Sequence, residues 1–159
     1  MTLQSSDLKT GFLAMGLFYS EEEACAGWAL VYREYFEAAI AGTVPVIAAA
    51  LDGPEATMAA AMAGLSTAGP ASIQAGVSAF WLALTPAATY FPAATGITPP
   101  AGVTGLASAL SGVFAANIAG SKSAGESYEA ISAAIHSASA GGIAIFPPPP
   151  GGIGPQTIV

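Results

Sequence analysis

Few side chains in this sequence are equipped for chemistry. His136 is the single histidine and Cys25 the single cysteine among 159 residues. A general base needs a nucleophile within hydrogen-bond reach and a carboxylate to orient it. For His136, in "AAIHSASAGG", spacing offers only Glu129, seven residues earlier. The imidazole is therefore read as solvated or packed, not catalytic. Cys25 lies one turn inside a helix start, where a thiolate is favoured. No histidine neighbours it in sequence, so it is read as a small buried hydrophobe, and a lone cysteine forms no internal disulfide. Metal ligation requires several donors in close array. Glu21, Glu22 and Glu23 are consecutive, so they point around a helix and do not converge. The phosphate-binding patterns G-x-x-x-x-G-K and G-x-G-x-x-G are missing. "GLSTA" (64–68) lacks the closing glycine and preceding strand of a serine elbow. The expectation is a protein that is not an enzyme, with no catalytic residues, no cofactor and no metal.

The elements that would position these residues are helical. The clearest spans 21–41. Ser20 and Glu23 form an S-x-x-E capping box, and Glu21 and Glu22 complement the helix dipole. Cys25, Trp28, Tyr32, Phe36 and Ala39 recur at intervals of three and four, one buried stripe. Arg33 and Glu37 can pair on another face. Gly42 ends the helix and Pro45 prevents its return. A shorter helix over 7–18 would use Leu8, Phe12, Met15 and Leu17. "TVPVIAAAL" reads as a turn entering a helix, and "DGPEATMAAAMAGL" as a helix start with Pro54 and Glu55 in its first turn, placing Met58, Met62 and Leu65 on one face. "STAGP" breaks the chain. Ile73, Val77, Phe80, Trp81 and Leu84 fall at the same offsets as Leu106, Leu110, Val113, Phe114 and Asn117. This pair is read as ordinary helical periodicity, not a duplication. A last helix begins at Ser123, capped with Glu126, and buries Tyr128, Ile131 and Ile135 until Gly141 and Gly142 stop it. The fold class expected is mainly α, a small bundle of five or six short Ala/Gly-rich helices.

Between the two similar helices lies "TPAATYFPAATGITPPAG" (85–102). Its four prolines and two glycines forbid a long helix or a central strand. Tyr90 and Phe91 within it either cover a core edge or dock a partner.

The balance of charge narrows the function classes. The chain is 53% hydrophobic and only 8% charged, against about 25% charged in a typical soluble domain. Ten acids oppose Lys9, Arg33 and Lys122, for a net −7. Three cations cannot track a phosphate backbone, so nucleic acid is not expected as a partner, and an anionic membrane surface would repel the chain. No charge falls between Glu55 and Lys122; that surface is read as covered by other protein. The mean hydropathy of +0.62 demands a membrane test. Residues 71–85 stop at Pro86. Residues 103–121 approach the roughly 20 residues of a span, but Asn117, serines, a threonine and glycines offset the gain from Leu106, Leu110, Val113, Phe114 and Ile118. On that balance membrane insertion is not expected. The N-terminus lacks the basic region and cleavage site of a secretory signal, which implies synthesis and retention in the cytosol.

The segment "GGIAIFPPPPGGIGPQTIV" (141–159) is read as an extended arm following a helical domain over 1–140. Ile143 and Ile145 alternate with Ala144 and Phe146 as in a strand, which in a helical protein would need a partner edge, for instance from another chain. Pro147, Pro148, Pro149 and Pro150 favour polyproline II, a stiff extension of roughly 12 Å. Gly151, Gly152 and Gly154 allow redirection, and Ile153, Ile158 and Val159 supply anchors. Because such a rod is ordered in advance, docking it costs little entropy. The candidate partner-binding residues are thus Ile143, Ile145, Phe146, Pro147–Pro150, Ile153, Ile158 and Val159, with Tyr90 and Phe91.

An Ala/Gly-rich, charge-poor helical chain with "FWLAL" (80–84), "VFAANIAGSKSAGESYEAISAAIHSAS" (113–139) and "IGPQTIV" (153–159) resembles small virion structural proteins of tailed, contractile bacteriophages and prophage-derived particles. The resemblance spans residues 20–159. It implies a structural subunit of a neck, tail or baseplate, located in the virion and made in the host cytoplasm. Its partners would be other protein subunits, in a homo-oligomeric ring or a hetero-assembly. Two other classes stand beside it: a small membrane-associated helical protein, and an accessory module binding an apolar partner.

Overall fold

The structure, a computed structural model, describes residues 2–148 and 152–159. Among them the chain forms α1 (Ser5–Ala14), α2 (Glu21–Phe36), α3 (Asp52–Ala61), α4 (Leu65–Ala83), the single turn α5 (Ala87–Tyr90), α6 (Leu106–Ala119) and α7 (Ala124–Ser139). Five short strands accompany them: β1 (Ile40–Ala41), β2 (Val44–Pro45), β3 (Gly96–Thr98), β4 (Ile143–Ile145) and β5 (Gln156–Thr157). The architecture is mainly α, a small bundle with a proline-rich connection.

Local chemistry accounts for the helix starts. The Ser20 hydroxyl accepts from the Glu23 N–H at 3.1 Å. The return arm of the expected box lands one residue early, the Glu23 carboxylate accepting from the Tyr19 N–H at 2.9 Å. At α7 the box is complete, with Ser123 and Glu126 exchanging both bonds. The break expected at "STAGP" is present: Gly69 takes non-helical angles (φ 19°, ψ −89°) just ahead of Pro70, so α4 is two helical pieces that meet at a kink.

The core forms where the α2 stripe meets α4. Phe36 packs edge-on against both Phe80 and Trp81, ring centroids 5.2 Å apart in each case. Tyr32 meets Phe80 at 4.9 Å. Such edge-to-face pairs add roughly 0.5–1.5 kcal/mol each beyond area burial. Towards the start of the same stripe, Phe12 of α1 contacts Trp28 at 4.5 Å and Tyr128 of α7 at 5.8 Å. Arg33 ties α2 to α3: it pairs with Glu37 (3.1 Å), Asp52 (3.4 Å) and Glu55 (3.6 Å).

Three expectations are corrected. The helix expected over 21–41 ends at Phe36. Residues 40–41 are drawn into strand pairing instead, with β2 and with the chain's far end, where Ile40 and Val159 exchange both backbone hydrogen bonds (2.9 and 3.0 Å). Leu17 is not part of the first helix's buried face, since α1 ends at Ala14 and Leu17 is 91% exposed. The third correction concerns the tail. Its strand does have a sheet within its own chain. β4 is the centre of a three-stranded antiparallel sheet, with β3 from the proline-rich connection on one edge and β5 on the other. Instead of extending, the chain returns: the Pro147 carbonyl accepts from the Gly154 N–H at 3.1 Å. A bridge between Ala41 and Ile158 then joins this sheet to the β1–β2 hairpin. Ala144, Phe146 and Ile158 enter the same core as the helices. At Gly142 the backbone lies against the face of Trp81, where any Cβ would collide with the ring.

Candidate functional site

The residues with chemical potential are placed first. His136 and Glu129 do not meet. The Glu129 carboxylate accepts from Lys9 Nζ at 2.9 Å, pinning α7 to α1. His136 Nδ1 lies 2.9 Å from Tyr35 Oη. One turn on, Tyr32 Oη lies 2.7 Å from Ser139 Oγ and accepts from Trp81 Nε1 at 3.0 Å. These bonds satisfy polar atoms that would otherwise be orphaned in the core. Burial pushes the Tyr32 hydroxyl up to about 12, against smaller opposing effects of its Ser139 and Trp81 bonds. Tyr35 is raised too, first by burial and then by the neighbouring Tyr32 and Asp7. Two phenols held protonated this way are structural hydrogen-bond donors and acceptors, not bases. His136 also borders a shallow cleft of about 410 Å³ with Leu3, Ala140, Ile158 and Val159. Thr2 supplies a hydroxyl to the same lining, and among the described residues no carboxylate side chain joins it there.

Cys25 is buried at the floor of a groove of about 490 Å³ between α2 and α3, lined by Ala26, Ala56, Ala59 and Ala60. Its thiol is raised, by burial first and by Glu21 second, the opposite of an activated nucleophile. Glu21 leaves the acidic run to cap the next helix pair, accepting from the Gly64 N–H and from the Ser66 N–H and hydroxyl. Those bonds, the Ser66 hydroxyl foremost, hold its carboxyl below the ordinary range. No group of three or more metal-ligating side chains occurs among the described residues.

The candidate docking residues divide by burial. Phe91, Phe146, Ile158 and Tyr90 are buried in the chain's own core. For Tyr90 and Phe91 this is the core-edge role: the Tyr90 carbonyl also accepts from the Ile47 N–H at 2.8 Å. Side chains so enclosed are not available to a partner, which corrects their inclusion in a docking set. Ile143 is half-buried, and Ile145, Pro147, Pro148, Ile153 and Val159 remain exposed. Pro149 and Pro150 of the expected rod, with Gly151, lie outside the described residues.

Two apolar surfaces stand out. The first is the outer side of α6. Leu106 and Leu110 are buried, Val113 and Phe114 only half-buried, and Ile118 is 82% exposed. The helix holds no charged residue. The second is the turn between α1 and α2, where Leu17 and Tyr19 stand in solvent beside a groove. Sequence reasoning missed it by assigning Leu17 to a helix face. The available signal was the cap itself: Tyr19 precedes the Ser20 cap, where a hydrophobic residue normally staples to the fourth helical position. That position is Ala24, too small to cover a tyrosine.

No known protein family matches this chain, and no curated protein or solved structure is significantly similar to it.

Proposed function

We propose that this protein is a non-enzymatic structural subunit of a multi-protein assembly, of the kind found in a phage neck, tail or baseplate, with its partners other protein subunits. The observation that carries the reading is the uncharged outer side of α6. A 14-residue helix without a charge that leaves Ile118 in water is poorly matched to solvent and well matched to a protein face. Ile145, Ile153 and Val159 extend the apolar exposure onto the tail. The Tyr35 contact of the only histidine, the raised Cys25 thiol and the protonated tyrosines are structural roles among the described residues, in keeping with a role in contact and not in turnover.

The test uses a photo-crosslinking amino acid at position 118, with position 57 on the exposed side of α3 as control, in cells that make the protein naturally. The expected outcome is protein adducts from position 118 at least about tenfold over position 57, removed by a neighbouring Ala115→Lys substitution. An absence of adducts from position 118 would end the reading. A second reading rests on its own observation. Residues Ala101–Ala119 are long and apolar enough to cross a membrane, with mean hydropathy 1.4 and 17% of that window buried. Lipid adducts in place of protein adducts from position 118 would favour it.

A further inference from the structure

Leu17 and Tyr19 are the most exposed large apolar side chains among the described residues, at 91% and 93%. The turn that carries them is fixed at both ends. The Met15 N–H donates to the Gly11 carbonyl at 3.1 Å, and the Tyr19 N–H donates to Glu23 at 2.9 Å. Between these bonds the Phe18 ring lies flush on Gly27, where a Cβ would stand 2.6 Å from the ring edge. Two apolar side chains are thus held out in water on an ordered backbone, and preorganisation of this kind lowers the entropy lost on association. Beside them, α1 and α2 part to leave a groove of about 330 Å³, floored by Gly11, Ala14, Val31 and Leu30 and bordered by Glu34.

We infer that this turn and groove form a self-association site, in which Leu17 and Tyr19 of one copy enter the groove of a second copy about a two-fold axis. A two-fold pair requires one surface to carry both the projection and its receptacle, and here they are adjacent. Leu17, Phe18, Tyr19 and Leu30 leave on the order of 500 Å² of side chain in water per copy, about 1,000 Å² for a pair, the size at which specific interfaces begin. Tyrosine is among the residue types in which binding energy concentrates. Charge argues against an anionic occupant. Glu22, Glu23 and Glu34 are exposed along the same helix, so an anionic lipid surface is repelled. Both lysines and the arginine are already paired with the chain's own acids, which gives an acidic partner little to hold: Lys9 with Glu129, Arg33 with Glu37, Asp52 and Glu55, and Lys122 with Glu126. The pair is therefore held by apolar contact against a like-charged rim, and salt strengthens it by screening that rim. A cationic partner on the same patch would be weakened by salt.

This site lies apart from α6 and does not depend on the assembly reading above. The test is sedimentation velocity of the full chain from about 1 to 100 µM, in low and high salt, for the natural protein, Leu17→Ser/Tyr19→Ser and Ile118→Ser. A monomer–dimer equilibrium is expected that tightens about threefold or more in high salt, loosens at least about tenfold in the double variant and is unchanged in Ile118→Ser. Both turn residues are solvent-exposed, so the double variant should keep the natural thermal midpoint. Monomer throughout, a dimer that salt weakens, or a dimer indifferent to the double variant would each overturn the proposal. Loss of association in Ile118→Ser alone would overturn it too while leaving the α6 reading intact.

Discussion

α4 and α6 carry the same stripe at the same offsets and meet opposite fates. In α4, Ile73, Val77, Phe80, Trp81 and Leu84 are all buried. In α6, Leu106 and Leu110 are buried, Val113, Phe114 and Asn117 are half-buried, and the helix ends with Ile118 in solvent. The two run against each other: Gln74 of α4 accepts from the Ala107 N–H at 2.8 Å, and Phe114 reaches back to Gly69. The difference lies in what surrounds them. α4 packs against α2, α3 and α6, whereas among the described residues the helices packed closely on α6 are α4 and α7 alone. A periodic apolar stripe states that a helix has a preferred face; it does not state how many neighbours that face will find.

Substitutions can sharpen this contrast, and the largest effect belongs to the centre of α4. Trp81→Ala should destabilise the fold by about 3–5 kcal/mol, read as a shift in the denaturant midpoint at unchanged slope. Phe114→Ala, its counterpart in α6, should cost about 1 kcal/mol. Equal losses at the two positions would mean that α6 is covered in solution as α4 is.

The next effect is one of pH. Trp81 is tied to Tyr32, whose hydroxyl is raised to about 12 by burial, while α6 has no titratable side chain. Tyrosine titrates near 10 in the unfolded chain. Its stabilisation is therefore complete below pH 10 and lost as pH rises towards 12, because only the unfolded state releases the proton in that window. About 2–3 kcal/mol should disappear between these limits through Tyr32, beside the loss from Tyr35, which is raised as well, and Tyr32→Phe should make that part of the profile shallower. A profile unchanged by Tyr32→Phe would show that this hydroxyl is not the group responsible.

The smallest effects come from glycines on the two helices. At Gly76 of α4 a Cβ would press into Met62, so Gly76→Ala should cost about 1–3 kcal/mol through overpacking. At Gly112 of α6 a Cβ would meet nothing, and Gly112→Ala should stabilise by up to about 1 kcal/mol from helix propensity alone. A loss at Gly112 would reveal a contact on the open side of α6, and its dependence on protein concentration would identify that contact as another molecule.

What the amino-acid sequence determined is what depends on neighbours within a few positions. Ser20 and Ser123 mark their helix starts because a capping bond reaches only three residues. The Cys25–Phe36 and Ile73–Leu84 stripes are legible because side chains three and four apart share a face. The scarcity of histidine is likewise read from composition, since the sequence holds only one. Tertiary structure alone decided the rest. The tail's strand found its edge in residues 96–98, nearly fifty positions away, and its last residues paired with Ile40; the pairing cut α2 short at Phe36. Tyr90 and Phe91 became core, and Leu17 and Tyr19 became surface, for the same reason. Burial of an apolar side chain depends on which distant segments arrive to cover it, and the chain's local pattern carries no record of which ones do.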